Sequence, residues 1–208
     1  MESPFPQDLK IIETFGWHPA EGIRRLPRHL ARLERTAHQL GFPHDPAAVC
    51  RALAPLGGGA PLRVRLTLDA RGKVDITTAD LTPTHAWQVH LSSVRLTSSD
   101  PFLRIKTTER SAYDAARAAL PDGIQDAILL NERNEICEST IANIFIKRRD
   151  TFLTPDLGAG LLPGILREEM IESGQAIETR LTVDDLADGA LFLGNSLRGL
   201  IPVTLARE

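Results

Sequence analysis

Residues 100–117, DPFLRIKTTERSAYDAAR, and residues 124–143, IQDAILLNERNEICESTIAN, decide how the chain is read. The first stretch carries one lysine, Lys106, just ahead of a run with helical character. The second reads as a hairpin: the apolar run Ala127-Ile128-Leu129-Leu130, a polar turn from Asn131 to Glu135, and the return Ile136-Cys137-Glu138. A lone lysine and a lone acid on neighbouring elements could hold opposite ends of a flat cofactor.

Upstream of that stretch, LKIIETF (9–15) reads as a short strand and Trp17 to Gly22 as a turn. Arg28 to Leu40 has Leu30, Leu33, Ala37 and Leu40 at helical spacing, with Gly41 where a C-cap would end the helix. A second helix is expected from Pro46 to Leu56. LRVRLTL (62–68) alternates with period two, Asp69 to Gly72 fits a hairpin link, and Val74 to Thr77 returns. Trp87 to Leu91 is another strand. Gly57-Gly58-Gly59 is a flexible break; no Lys-Ser/Thr follows it, so it is not a phosphate loop.

Downstream, a helix is expected over 108–120 and strands over 127–130, 136–137, 144–147 and 151–154. A helix opens at Leu162-Pro163-Gly164-Ile165. Thr182 caps a short helix with an acid at Asp185. The last strands are 190–193 and 201–205. This divides the chain into a small α/β lobe, 1–96, and a larger α/β lobe, 97–208, that carries Lys106.

The totals agree with a globular protein of 208 residues, 42% hydrophobic and 25% charged. A net charge of −3 leaves no footprint for nucleic acid or an anionic membrane. No apolar run approaches the roughly 20 residues that span a bilayer, and MESPFPQDLK has no apolar signal core. The cytoplasm is therefore expected. Cys50 and Cys137 read as two buried free thiols, and no spacing suggests a metal site.

Local context alone gives each candidate two readings. Lys106, beside apolar residues, is either a partly desolvated nucleophile or a surface lysine. Glu138 either faces a protonated ring nitrogen or caps a turn. Arg32 reads by its helix position as a solvated arginine. The amides of the Gly164-Ile165-Leu166 helix start form an anion site, and Pro163-Gly164 is equally a good helix start.

Six segments in register resemble the class IV, fold-type IV family of pyridoxal-phosphate enzymes. They are IIETFGW, RLPRHLARLERTAHQLGF, KTTER, ILLNERNEICESTIANIF, TPDLGAGLLPGILRE and LGNSLRGLIPV. The pattern D-P-F-L-x-x-K-T-T-x-R-x-x-Y-D-A-A-R and the ending N-S-L-R-G-L-I-P look most like the branch of 4-amino-4-deoxychorismate lyases. The resemblance implies a mixed α/β fold of two lobes with pyridoxal 5'-phosphate in the cleft between them, and a homodimer. It implies that Lys106 carries the cofactor covalently and that Glu138 pairs with the ring nitrogen. Arg32, the amides of Ile165 and Leu166, and Ser196 would hold the phosphate. Many members have threonine at the position of Leu166, where only the amide remains here. Asn195 and Arg198 are candidate substrate-side groups. Arg110 and Tyr113 either point into the site or brace the helix.

The function implied is conversion of 4-amino-4-deoxychorismate to 4-aminobenzoate and pyruvate, with aromatisation as the driving force. Small molecules are the expected partners. An aminotransferase acting on branched-chain or D-amino acids would use the same Lys106 and Glu138. An inactive family scaffold would be marked by loss of one of them, and both are present.

Overall fold

The computed structural model describes residue 6 and residues 8–206. They divide into two compact units: the residues through Pro83 together with Ile105–Glu109, and Thr84–Arg104 together with Arg110 onward. Strand Trp87–Leu96, which the sequence reading groups with the first lobe, thus lies in the second unit. Lys106 lies in the first.

The first unit comprises β1 (Lys10–His18), β2 (Gly22–Ile23), α1 (Leu26–Leu40), α2 (Pro46–Leu53), β3 (Leu62–Asp69) and β4 (Val74–Asp80). The strands form an antiparallel sheet in the order β2-β1-β3-β4. The alternation in β3 does what period two requires: Val64, Leu66 and Leu68 are buried, and Arg63 and Arg65, which alternate with them, are exposed. On α1 the buried face is His29, Arg32, Leu33, Thr36, Ala37 and Leu40. Gly41 ends the helix at φ +68, a left-handed cap that glycine adopts without strain, and the amide of Phe42 returns to the carbonyl of Ala37 at 2.9 Å.

The second unit contains β5 (Trp87–Leu96), α3 (Ser111–Ala118), β6 (Asp126–Asn131), β7 (Ile136–Ser139), β8 (Asn143–Arg148) and β9 (Thr151–Pro155). It continues with α4 (Ile165–Glu172), β10 (Ala176–Thr179), β11 (Ala190–Asn195) and β12 (Gly199–Leu205). The strand order is β10-β9-β8-β11-β12-β5-β6-β7, and β7 pairs back onto β8 through Glu138 and Asn143. The strands from β8 round to β7 therefore close on themselves, with Glu138 at the seam. Every residue of β6 is buried because apolar side chains cover both of its faces. Ile128 and Leu130 pack with Ile136, Ile144 and Leu193. Leu129 packs with Cys137, Tyr113 and Ala116, the last two from α3.

The mixed α/β class expected from the sequence is the class observed. Two local expectations are corrected. The helix expected from Thr108 begins at Ser111, because the backbone before it pairs with β1 instead: Ile12 N–H donates to Lys106 O at 2.8 Å and Thr108 N–H to Lys10 O at 2.9 Å. Cys50 is exposed on α2, and only Cys137 is buried. Among the described residues no helix is long and apolar enough to cross a membrane.

Candidate active site

In the first unit, β1 carries a charged residue among buried apolar ones. Glu13, 1% exposed, follows Ile11 and Ile12 and precedes Phe15. A carboxylate in that setting requires polar partners, and α1 supplies two of them one turn apart. Arg32 donates from Nε to Oε1 at 2.8 Å and from Nη2 to Oε2 at 2.7 Å. His29 Nδ1 lies 2.6 Å from Oε2, and its ring meets Phe15 edge-on at 5.2 Å. Burial alone would raise the Glu13 carboxyl; the Arg32 and His29 contacts outweigh it and bring it down to about 2. Arg32 is thus a buried guanidinium whose plane is fixed by a bidentate carboxylate, not a solvated helix arginine.

The lysine of this unit is set on the same strand. Ile105–Glu109 runs beside β1, with Ile11 bridged to Thr107, and the Thr108 hydroxyl accepts from Lys10 N–H at 2.9 Å. Lys106 is half-buried between the buried Ile105 and Thr107. An open groove lined by Asp8, Lys10, Arg65, Thr67, Thr108 and Glu109 also lies in this unit; it contains both signs of charge and none of the predicted site residues.

In the second unit, Glu138 is 5% exposed. Its Oε1 accepts two hydrogen bonds, from the Tyr113 hydroxyl at 2.6 Å and from the Leu162 amide at 3.0 Å. One face of α3 holds this strand end. Arg110, Tyr113 and Arg117 fall at helical spacing. Arg110 donates to Thr140 O at 2.6 Å and lies 4.9 Å from the Tyr113 ring centre. Arg117 donates to Thr140 Oγ1 at 2.8 Å. Asp126, wholly buried on β6, accepts from Thr140 N at 3.1 Å, from Thr140 Oγ1 at 2.5 Å and from Ser139 Oγ at 2.9 Å. The turn after Glu138 is therefore pinned from both sides. Burial, followed by the charge of Glu138, pushes the Tyr113 phenol far above its usual range, so it acts as a donor. Burial does the same to the thiol of Cys137.

The start of α4 is capped by Gly164, which has no side chain to close the helix end. Ile165 and Leu166 occupy its first turn, so their amides are among those without an intrahelical partner. The side chain of Leu166 packs with Phe145 and Met170. Asn143, the strand partner of Glu138, donates to Leu162 O at 2.9 Å and so orders the approach to this helix. Ser196 and Arg198 lie in the turn between β11 and β12. Asn195 braces that turn: its Oδ1 accepts from Arg198 N at 2.9 Å and its Nδ2 donates to Ile141 O at 3.2 Å.

Tyr113, Arg110 and Glu138 are thus brought together, as are Asn195 and Arg198, within the second unit; Lys106 and Arg32 belong to the first. Reading the sequence alone passes over Glu13, His29, Asp126, Thr140 and Leu162. A signal existed for Glu13, an acid inside an apolar strand. Leu162 acts through its backbone and leaves none. Among the described residues no cluster of His, Cys, Asp or Glu could hold a metal ion. The groups present are of the kinds that suit pyridoxal phosphate: an amine and a fixed cation in the first unit, and a buried carboxylate held by donors and a helix start in the second.

Comparison with known proteins agrees. The model of the "Amino-transferase class IV" family matches residues 10–206. A crystal structure from Mesorhizobium loti, described as a "Putative amino-acid aminotransferase", is 40% identical, covers 96% of this chain and 100% of that one, and superposes with a TM-score of 0.92. A "Putative aminodeoxychorismate lyase" of Schizosaccharomyces pombe is 29% identical over 188 residues, 83% of this chain and 80% of that protein. A "Probable branched-chain-amino-acid aminotransferase" of Thermotoga maritima is 31% identical over 130 residues, 58% of this chain; the match spans 46% of that protein, less than half its length. The chain belongs to the class IV aminotransferase family of pyridoxal-phosphate enzymes, whose members include lyases and aminotransferases.

Proposed function

We propose that the chain is a lyase that converts 4-amino-4-deoxychorismate to 4-aminobenzoate and pyruvate. One observation carries the reading. Arg110, Tyr113 and Arg117, the residues of the lyase-like pattern after Lys106, all bind the strand end and turn at 138–140. In this reading Lys106 carries the cofactor and Glu138 pairs with its ring nitrogen. Arg32, the amides of Ile165 and Leu166, and Ser196 hold its phosphate. When bound, the cofactor supplies an electron sink next to the amine-bearing carbon of the substrate.

The chain's own work is then proton movement and orientation. The Lys106 amine takes the proton from the amine-bearing carbon, and the ammonium so formed returns a proton as pyruvate leaves. The hydrogen bond from Ile12 N–H to Lys106 O fixes the backbone from which that side chain works. Asn195 and Arg198 act on the substrate side, and the protein works as a homodimer. The test is to combine the full chain with chorismate, glutamine and an aminodeoxychorismate synthase. The reading expects 4-aminobenzoate to appear, and its absence from a cofactor-loaded protein sinks it.

The name given to the Mesorhizobium relative favours a second reading, an aminotransferase. It expects D-alanine or a branched-chain amino acid, mixed with a 2-oxo acid, to yield the exchanged pair with no 4-aminobenzoate in the first assay.

A further inference from the structure

Tyr113 is the chain's single tyrosine. It is 8% exposed and gives its hydroxyl to a carboxylate that is 5% exposed, at 2.6 Å. A phenol in an apolar core needs a partner, yet α3 would be held to this strand without it. Arg110 and Arg117 already bind Thr140, and Ala116 packs against β6 beside the ring. The hydroxyl therefore acts on Glu138 more than on the helix. It shares Oε1 with the Leu162 amide, and two donors converging on one oxygen set the rotation of the carboxylate and favour its charged form.

We propose that Tyr113 is a positioning residue, which through its hydroxyl keeps Glu138 ionised and oriented toward the cofactor's ring nitrogen. The inference rests on the reading of Glu138 as the partner of that nitrogen. It assigns Tyr113 neither to substrate nor to mere bracing of the helix. Other charged or titratable groups around the pair are Arg110 at the N-cap of α3, Asp114 and Arg117 on α3, Asp126 on β6 and Cys137 on β7. None of them is removed by Tyr113→Phe, and the ring that Arg110 covers is retained.

The experiment measures the dissociation constant of pyridoxal phosphate against pH for the full chain, Tyr113→Phe and Glu138→Gln. Loss of one hydrogen bond to a charged group predicts affinity about tenfold weaker for Tyr113→Phe at neutral pH. The sign of the pH effect follows from the donor. Removing it makes the carboxylate easier to protonate, so the acidic fall in affinity moves to higher pH in Tyr113→Phe. Glu138→Gln loses the share of that fall that the Glu138 carboxyl carries, leaving only the part due to Lys106 and the phosphate. Because only one tyrosine is present, fluorotyrosine labels this site alone, and its fluorine resonance reports the bond directly. It is expected to shift when the cofactor binds the wild type and to stay still in Glu138→Gln. An affinity curve for Tyr113→Phe that overlays the wild type, with Glu138→Gln impaired, overturns the proposal. An acidic limb that persists unchanged in Glu138→Gln overturns the reading of Glu138 itself, and the proposal with it.

Discussion

Replacing Glu13 with Gln removes one charge from a buried ion pair of the first unit and changes little else in volume. Each tenfold change in proton affinity corresponds to about 1.4 kcal/mol. A carboxyl drawn from its ordinary 4.5 to about 2 therefore stabilises the folded state by roughly 3 kcal/mol at neutral pH. An independent argument gives the same scale: removing one member of a buried pair leaves an uncompensated charge, here Arg32 at 6% exposure, at a cost of about 3–5 kcal/mol. For a chain of this length that corresponds to a fall in Tm of roughly 6–12 °C. The pH dependence has a fixed sign. The folded-state value is depressed, so the stabilisation is present above about pH 4.5 and is lost as pH falls from there through about 2. Gln has no such titration, so the gap between wild type and Glu13→Gln is widest at neutral pH and closes in acid. The assay is thermal unfolding at a series of pH values. Adding Arg32→Met to Glu13→Gln removes the stranded cation, and the double variant is expected to lose less than the sum of the single ones. Equal Tm values at pH 7, or a gap that does not depend on pH, would refute the reasoning.

Asp126→Ala strips the acceptor from the amide and hydroxyl of Thr140 and from the Ser139 hydroxyl; it is expected to cost about 3 kcal/mol in urea unfolding and to speed hydrogen exchange in the turn after Glu138. Gly160→Ala places a methyl 2.6 Å from the backbone Cα of Ser98 at a φ of +87, and should cost about 3 kcal/mol or more. Gly123→Ala is the control: its φ is +80 but nothing lies within 4 Å of the new methyl, so about 1 kcal/mol is expected from the backbone alone.

The fold was legible wherever a single period governed a segment. The alternation of β3, the cap at Gly41 and the box formed by Thr182 and Asp185 all stand where the pattern put them, with Thr182 N–H donating to Asp185 at 2.8 Å. Legibility failed where tertiary partners overrode local preference. The helix expected from Thr108 loses its first residues because the backbone of 106–108 is claimed by β1, so α3 starts later. Strand β5 runs past Leu91 to Leu96 across an irregular register, where Ser92 accepts from the Val94 amide and breaks the alternation. Strand β10, four residues at a sheet edge, carries too short a pattern to announce itself.

The candidate site divides in the same way. Lys106, Glu138 and the α4 start could be proposed only through the family resemblance, because local context left each with two readings. The groups that hold them could not. Tyr113 and Glu138 lie 25 residues apart, and Glu13 lies 19 from Arg32. No period links such pairs; only the folded strands bring them together. What the sequence offered was indirect: a polar stripe of Arg110, Tyr113 and Arg117 on a short helix, and an acid within an apolar strand.

The most direct test of the account is to load the full chain with pyridoxal phosphate, reduce it with borohydride and map the modified peptide. The account predicts that the pyridoxyl group sits on Lys106 and that Lys106→Ala takes up none covalently. A label on another lysine, such as Lys10 or Lys147, or no covalent label at all in a protein that binds the cofactor, would contradict it.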